Sequence, residues 1–456
     1  MHEKRNIILL ILIAAALLIA PYIVRSFNHN DQMINSDAYY NVRVYNQGDT
    51  NYDSLQSRDT PINIINLVRL NDFVRQILFR IVPIVLGLLT VLLAYGILRK
   101  QNISERTIHA IIALIITSPI FIYVFTDYKI YSFVIFLNML GMYFLLQNKT
   151  LPSGIVLAII PFIDLFSGFV TAILLLIYSI SSPKNKTNIQ ITSMILFTSI
   201  VLSAIINIYY GYNLLHILQF NIHNILTDIG AGVGVSFSII ILTVIGMILL
   251  WENGWRNLVT YILLMLVTAA SLFNDTIRIY LSFIIMIYAG FAFIYLNKRK
   301  WSIAIIKKTT LLLIICSIFF STLVYTTQLV RSDPTPGYVD ALVFLKNQSL
   351  PTEVILSSPV DGYFIEYYSD RAVFVDDLTR YYHNKKYSDL DVIASSRNLE
   401  RTENLFKEYN IKYVIIGKEF EPYLREKEGL LFLIETSNKF ISVYKNSDVE
   451  IWMYNS

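Results

Sequence analysis

The sequence predicts a polytopic α-helical membrane protein of about eleven spans, followed by a small C-terminal extracytoplasmic α/β domain. Three observations predict it. The 456-residue chain is 55% hydrophobic and only 15% charged, against roughly 25% charged residues in a soluble domain. Its apolar residues gather in runs of bilayer length. Its Lys and Arg residues fall in loops that alternate along the chain, as one side of a membrane collects them.

Spans are expected at 7–24, 81–98, 108–124, 130–146, 189–209, 233–250, 258–272, 278–296 and 309–327. Each approaches the ~20 apolar residues that cross a bilayer. Leu151–Ser181 is too long for one helix and is interrupted by Pro161, Asp164 and Gly168. Charge placement decides its reading. Lys4/Arg5, Arg99/Lys100/Arg106, Lys149, Lys184/Lys186, Arg256 and the Lys298–Lys308 cluster share the cytoplasmic side only if 154–181 is a hairpin of two short helices. The N-terminus is then cytoplasmic and the C-terminus extracytoplasmic. Lys4 and Arg5 before an apolar run resemble a signal peptide, but no small-x-small site follows, so cleavage is not expected.

This topology places the 25–80 segment, Phe125–Lys129, Gly211–Gly232, Phe273–Arg278 and the C-terminal domain outside. The domains are therefore 1–330, transmembrane, and 331–456, soluble. In the latter, helices are expected at Tyr338–Asn347, Gly362–Ser369 and Asn398–Tyr409. Strands are expected at Val354–Ser357, Ala372–Val375 and Lys412–Ile416, and in alternating runs near Leu430–Glu435, Phe440–Tyr444 and Glu450–Tyr454. The single cysteine, Cys316, permits no disulfide within the chain. A net charge of +4 gives no case for a nucleic-acid partner, and neither GxGxxG nor a Walker loop is present to support nucleotide binding.

Chemistry is sought in the outward loops. Asn35-Ser-Asp-Ala-Tyr-Tyr-Asn-Val-Arg-Val-Tyr45 places a carboxylate, Asp37, and a guanidinium, Arg43, at the membrane surface beside Tyr39 and Tyr40. Asp37 is either a general base or metal-positioning group, or a solvated loop residue or helix cap. Asp127, in the minimal loop Phe125-Thr-Asp-Tyr-Lys129, either joins it on the same side or caps the helix starting near Ile130. Lys129 is either a fixed cation or a snorkelling side chain. Arg278 opposes the positive-inside bias, which points to a phosphate ligand or to a pairing with Asp275. His216 and His223, seven apart on one amphipathic face, suit either interfacial packing or contact with a headgroup or metal. Asp164 reads as a polar group at membrane depth or as the cap of the second short helix.

Four stretches resemble the GT-C glycosyltransferases, membrane enzymes fed by polyprenyl-linked sugars, and among them the catalytic subunit of archaeal oligosaccharyltransferase. Ser36-Asp-Ala-Tyr-Tyr-Asn-Val-Arg43 is similar to the family's first acidic motif, with Asn41 in place of a histidine. Asp127-Tyr-Lys129 stands where the second motif has Asp-x-Glu, so Lys129 replaces an acid. Ile277-Arg278-Ile-Tyr-Leu-Ser resembles the Arg-Phe start of a late span, whose arginine approaches the donor phosphate. The segment Ile355–Asp376 follows the outline around the WWDYG signature, but Pro359-Val360-Asp361-Gly362 occupies the signature's place.

The resemblance implies a GT-C-like catalytic domain that takes a sugar from a polyprenyl-phosphate carrier. Asp37 and Asp127 are the expected catalytic residues. Arg278, Lys129 and Arg43 would meet the donor phosphate. Tyr39, Tyr40, His216, His223 and Asp361 are candidate substrate contacts. The acceptor is a glycan, lipid or protein. No cofactor is expected, since Lys129 repels a cation; if a divalent ion (Mg or Mn) serves, Asp37 and Asp127 would hold it. Loss of the WWDYG signature argues against transfer to protein sequons. Two alternatives stand beside this one: a divergent oligosaccharyltransferase, and a non-catalytic lipid-glycan binding subunit or carrier.

Overall fold

A computed structural model describes residues 2–34, 36, 38–40, 72–181, 186–209, 226–229, 232–251, 255–376, 379 and 384–455. The chain divides into a helical unit (Met1–Arg25, Ile77–Ile208, Ile217–Val330) and an α/β unit (Ser26–Gln76, Tyr209–His216, Arg331–Ser456).

The helical unit contains α1 (His2–Phe27), α2 (Asp72–Lys100), α3 (Glu105–Ile116), α4 (Pro119–Phe125), α5 (Ile130–Leu146), α6 (Thr150–Ile163), α7 (Leu165–Ser181), α8 (Lys186–Tyr209), α9 (Phe237–Leu249), α10 (Trp255–Ala270), α11 (Asp275–Lys298) and α12 (Ala304–Val330). Among the described residues, α1, α2, α8, α11 and α12 each contain a stretch long and apolar enough to cross a membrane; α3 and α4 make a sixth if counted as one span bent by 64°. α5, α6, α7, α9 and α10 are apolar but shorter. Large side chains such as Met194, Phe197, Met265, Leu313 and Phe319 stay exposed on these helices, as a lipid-facing surface requires.

Local chemistry explains the breaks. The 154–181 stretch forms two helices. Asp164 sits between them in extended backbone and accepts from the Ser167 N–H at 2.8 Å, capping α7. The Ser203 hydroxyl donates to the Pro161 carbonyl near the end of α6 (2.6 Å). The α3–α4 bend falls at Thr117-Ser118-Pro119, where Ser118 caps α4 and Pro119 occupies its first turn. The Thr322 hydroxyl from α12 donates to the Thr117 carbonyl at this bend.

Helices approach closely where side chains are small. A Cβ on Gly246 would lie 2.1 Å from the Tyr288 carbonyl oxygen, so α9 and α11 meet backbone to backbone. One turn away the Thr243 hydroxyl donates to the Ile285 carbonyl (3.2 Å). α11 is the most enclosed of the long helices. The first and last helices are tied by Arg25, which donates to the Leu329 and Val330 carbonyls at 3.2 and 3.4 Å and so caps α12.

In the α/β unit a four-stranded sheet runs β1-β2-β4-β3, with β1 (Val354–Leu356), β2 (Ile411–Gly417), β3 (Phe440–Lys445) and β4 (Val449–Tyr454). β1 and β2 are parallel; β2–β4 and β3–β4 are antiparallel. Helices α13 (Pro336–Gln348), α14 (Gly362–Ser369), α15 (Asn384–Ser395), α16 (Leu399–Glu408), α17 (Phe420–Lys427) and α18 (Leu430–Thr436) accompany it.

Two expected strands are corrected. Leu430–Glu435 is helical, because its buried residues Leu430, Leu433 and Ile434 recur at helical spacing while Phe432 is exposed. Ala372–Val375 forms only an isolated parallel bridge, Ile355 to Val373. Helices α15 and α17 fall where no element was expected.

Candidate functional site

The sequence candidates divide between the two units. Asp127, Lys129 and Arg278 belong to the helical unit, and Tyr39, Tyr40 and Asp361 to the α/β unit. Asp37, Arg43, His216 and His223 lie outside the described residues.

In the helical unit, the Phe125–Lys129 loop sits at the end of the bundle where α1 and α12 finish and α5 and α11 begin. Asp127 is 3% exposed and accepts a hydrogen bond from the Tyr22 hydroxyl of α1 at 3.2 Å. It does not cap α5. That position belongs to Lys129, whose side chain makes no capping bond. The Arg80 guanidinium of α2 lies 5.7 Å from the centre of the Tyr22 ring.

Lys129 does not snorkel outward; it is 8% exposed. Its ammonium lies 3.3 Å from the centroid of the Tyr123 ring, a cation–π contact between the loop and the helix α4 that precedes it. Tyr123 in turn neighbours Tyr325 of α12, with ring centroids 6.4 Å apart. Tyr128, between the acid and the lysine, turns into a contact with Phe79 at 4.4 Å, and burial raises its hydroxyl pKa.

The start of α11 is held at this end by Tyr131 of α5, whose hydroxyl is 3.3 Å from the Thr276 hydroxyl. Arg278 is 3% exposed and pairs with Asp275 at 3.1 Å, while its Nε donates to the Ser271 carbonyl at 3.1 Å. The Asp275 pairing therefore exists, and the guanidinium staples the turn into α11.

The sequence reading missed Tyr22, Tyr123, Tyr325, Arg25 and Arg80. Their signal was a polar or aromatic residue near the end of an apolar run. That pattern also describes ordinary interfacial anchors, so it points nowhere by itself.

In the α/β unit, Tyr39 is fully buried among Phe364, Tyr367 and Tyr368, with ring centroids at 5.3, 5.1 and 5.5 Å. Tyr40 packs on Tyr363 at 5.0 Å. Both tyrosines thus pack on α14. Asp361, in the place of the missing signature, is 1% exposed and lies 3.5 Å from the Ser357 hydroxyl. Burial, then the negative charges of Asp333 and Glu419, push its carboxyl well above the usual range. Gly362 beside it is required by close approach: a Cβ there would lie 2.8 Å from Asp376 Cβ.

Arg371 of the same segment is structural. It donates to the Ser349 hydroxyl and to the Lys346, Ser349 and Asp370 carbonyls at 2.7–2.9 Å, closing the end of α13. A polar cleft of about 940 Å³ also opens in this unit, lined among others by Arg331, Lys418, Glu435 and Trp452.

No family model and no curated protein matches the sequence. Solved structures do match the fold. Oligosaccharyltransferase AglB from Archaeoglobus fulgidus, in complex with an inhibitory peptide and a dolichol-phosphate, aligns with 100% of this chain and 74% of its own, at 13% identity and a TM-score of 0.67. ArnT from Cupriavidus metallidurans bound to undecaprenyl phosphate aligns over 98% of this chain and 97% of its own, at 10% identity and a TM-score of 0.55. Arabinofuranosyltransferase AftD from Mycobacteria covers 98% of this chain with 41% of its own length, at 13% identity and a TM-score of 0.57. The chain therefore shares its fold with these three proteins.

Proposed function

We propose that this protein is a membrane glycosyltransferase that moves a sugar from a polyprenyl-phosphate carrier to an acceptor at the outer membrane face, with inversion. The observation that carries the reading is a fold shared along the whole chain with AglB and ArnT, each solved with a polyprenyl phosphate bound. The enclosed Asp127–Lys129 loop at one end of the bundle supplies the charged chemistry that such a donor needs.

In the proposed reaction the Asp37 carboxylate takes the proton of the acceptor hydroxyl. The acceptor oxygen bonds to the anomeric carbon from the face opposite the phosphate. The carbon–oxygen bond to phosphate breaks, and its electron pair leaves with the polyprenyl phosphate. Lys129 offsets the charge that develops on that leaving group. Asp127, held by Tyr22, orients the loop that carries Lys129. Arg43 would assist at the phosphate. Arg278 is the weaker phosphate candidate, because Asp275 and Ser271 already engage its guanidinium.

A divalent ion fits the described residues poorly. Among them no three His, Cys, Asp or Glu side chains gather into a ligand set. Asp127 is followed two positions later by an ammonium rather than a second acid. The proposed reaction therefore routes no step through a metal.

The test is transfer from a labelled polyprenyl-phosphate sugar by purified protein in liposomes. Asp37→Asn should lose about 100-fold or more of the rate, and chelator should leave the wild-type rate unchanged. Full activity in Asp37→Asn refutes the assignment. A second reading, transfer of a lipid-linked glycan to protein, draws on the alignment of 100% of this chain with the Archaeoglobus fulgidus oligosaccharyltransferase tethered to an acceptor peptide containing the NVT sequon (TM-score 0.65). Chelator inhibition together with labelling of a sequon peptide would favour it. Donor binding without turnover would favour a non-catalytic lipid-glycan subunit or carrier.

A further inference from the structure

We infer that Tyr123 is a positioning residue whose ring seats the Lys129 ammonium as a built-in cation for a phosphate group, in the place where a divalent ion would otherwise act. The inference rests on the proposed donor chemistry and adds how the cation is held.

Four observations build the seat. The Lys129 Nζ is 3.3 Å from the Tyr123 ring centroid, with the lysine almost wholly enclosed. An ammonium carries three N–H donors, and one seated on a ring face directs N–H bonds away from that face, where an anion can meet them. The ring's direction is set by the 64° bend between α3 and α4, because Tyr123 lies on the short helix after the bend. The bend is pinned by Thr322 on Thr117, one turn along α12 from Tyr325, which backs Tyr123. Finally, Gly232 leaves the rings their room: a Cβ there would come within 2.7 Å of Tyr325 Cε2 and 3.0 Å of Tyr123 Cδ2.

The chemistry distinguishes this seat from a metal site. A second carboxylate at position 129 would complete an acidic pair with Asp127 and invite a cation from solution. Lysine supplies the positive charge covalently. A long, flexible ammonium is a poor substitute for a metal unless something holds it, and the aromatic face contributes to that hold a contact that carries no formal negative charge.

The test measures binding of undecaprenyl phosphate, and separately of inorganic phosphate, to full-length protein in nanodiscs, with and without chelator. Wild-type protein should bind undecaprenyl phosphate equally in both conditions. Tyr123→Leu should weaken binding about tenfold while Tyr123→Phe stays near wild type, since the ring face and not the hydroxyl makes the contact. Gly232→Ala should weaken it in the same direction without touching the loop. Lys129→Glu should bind only when Mn is added. Lys129 dependence with inorganic phosphate as well shows that the headgroup suffices; dependence with the lipid alone shows that the chain must be anchored first, and either result supports the seat. Equal binding by wild type, Tyr123→Leu and Lys129→Ala overturns the inference, and leaves the glycosyltransferase reading standing if transfer persists. A wild type that binds no polyprenyl phosphate at all overturns both.

Discussion

At the scale of single residues, buried charge separates structural from chemical roles. Arg371 and Asp361 lie in one segment and illustrate both kinds of cost. Arg371 satisfies the carbonyls at the end of α13 with bonds of 2.7–2.9 Å. Arg371→Ala leaves those acceptors unpaired and should destabilise the α/β unit by about 2–4 kcal/mol; Arg371→Lys should recover little, because one ammonium cannot span the fork. Guanidine unfolding of the full-length protein, followed by amide exchange in Ile411–Gly417, reads this loss. Asp361 has the opposite character: its carboxyl is held above the usual range by burial. The folded state then keeps a proton that the unfolded chain releases near pH ~4. Stability from this group is whole below that pH and falls as pH rises toward the folded value. Asp361→Asn should abolish this slope and stabilise the unit at neutral pH, and the same exchange measurement across pH checks it. From position in the sequence, Asp127, Lys129 and Arg278 were expected as outward charges. The same positions offered Asp275 as a partner for Arg278, three residues away, but not Tyr22 for Asp127, because these two are 105 residues apart and contacts of that range leave no local pattern.

At the scale of elements, most of the fold was legible where periodicity was long. The expected helix 130–146 coincides with Ile130–Leu146, and the expected strand Phe440–Tyr444 differs from Phe440–Lys445 by one residue. Short elements were legible only in part: the expected helix Gly362–Ser369 coincides with α14, but others were not. Leu430–Thr436 is seven residues, too few for a period of 3.6 to be told from one of 2. Asn384–Ser395 buries little beyond Leu390, Ile393 and Ala394, under a run of polar residues that reads as loop. Helix contacts are legible only as small residues without partners, and the structure supplies the partners. Gly246 faces the Tyr288 backbone, whereas Gly96 faces only the Tyr143 ring edge, with a Cβ 2.9 Å from Cε2. Gly246→Ala must push α9 from α11 and should cost about 2–3 kcal/mol; Gly96→Ala displaces a side chain that can turn and should cost less than about 1 kcal/mol. Thermal melts in one detergent compare the pair. Equal melting temperatures for the two variants would show that the α9–α11 contact relaxes freely.

At the scale of the whole molecule, the decisive number is how many times the chain crosses the membrane, because its parity sets where each end lies. Among the described residues, length and composition alone give five crossings, or six if the bent pair is one span. Six would return the C-terminus to the side of the N-terminus. The charge distribution argues for eleven, with the ends on opposite sides. The two counts differ over five apolar helices of 13 to 17 residues. At 1.5 Å per residue these are about 20–26 Å long, short of a ~30 Å hydrocarbon core. Short helices are nevertheless tolerated in the membrane where neighbours cover their ends or the bilayer thins around them. α6 and α7 show such cover, since Asp164 caps α7 and Ser203 takes the Pro161 carbonyl near the end of α6. Treating them as one crossing would put the cluster Lys298, Arg299, Lys300, Lys307 and Lys308 on the outer face, against the bias that places such residues inside. We therefore predict that alkaline phosphatase fused after Ser456 is active outside the cell, that a fluorescent protein fused there is dark in a secretory route that blocks its folding, and that a cysteine placed at Lys300 reacts with an impermeant maleimide only after lysis. Labelling of position 300 in intact cells would remove one of the two crossings at Asp164, and would move the Asp127 loop to the opposite side from the C-terminal α/β unit.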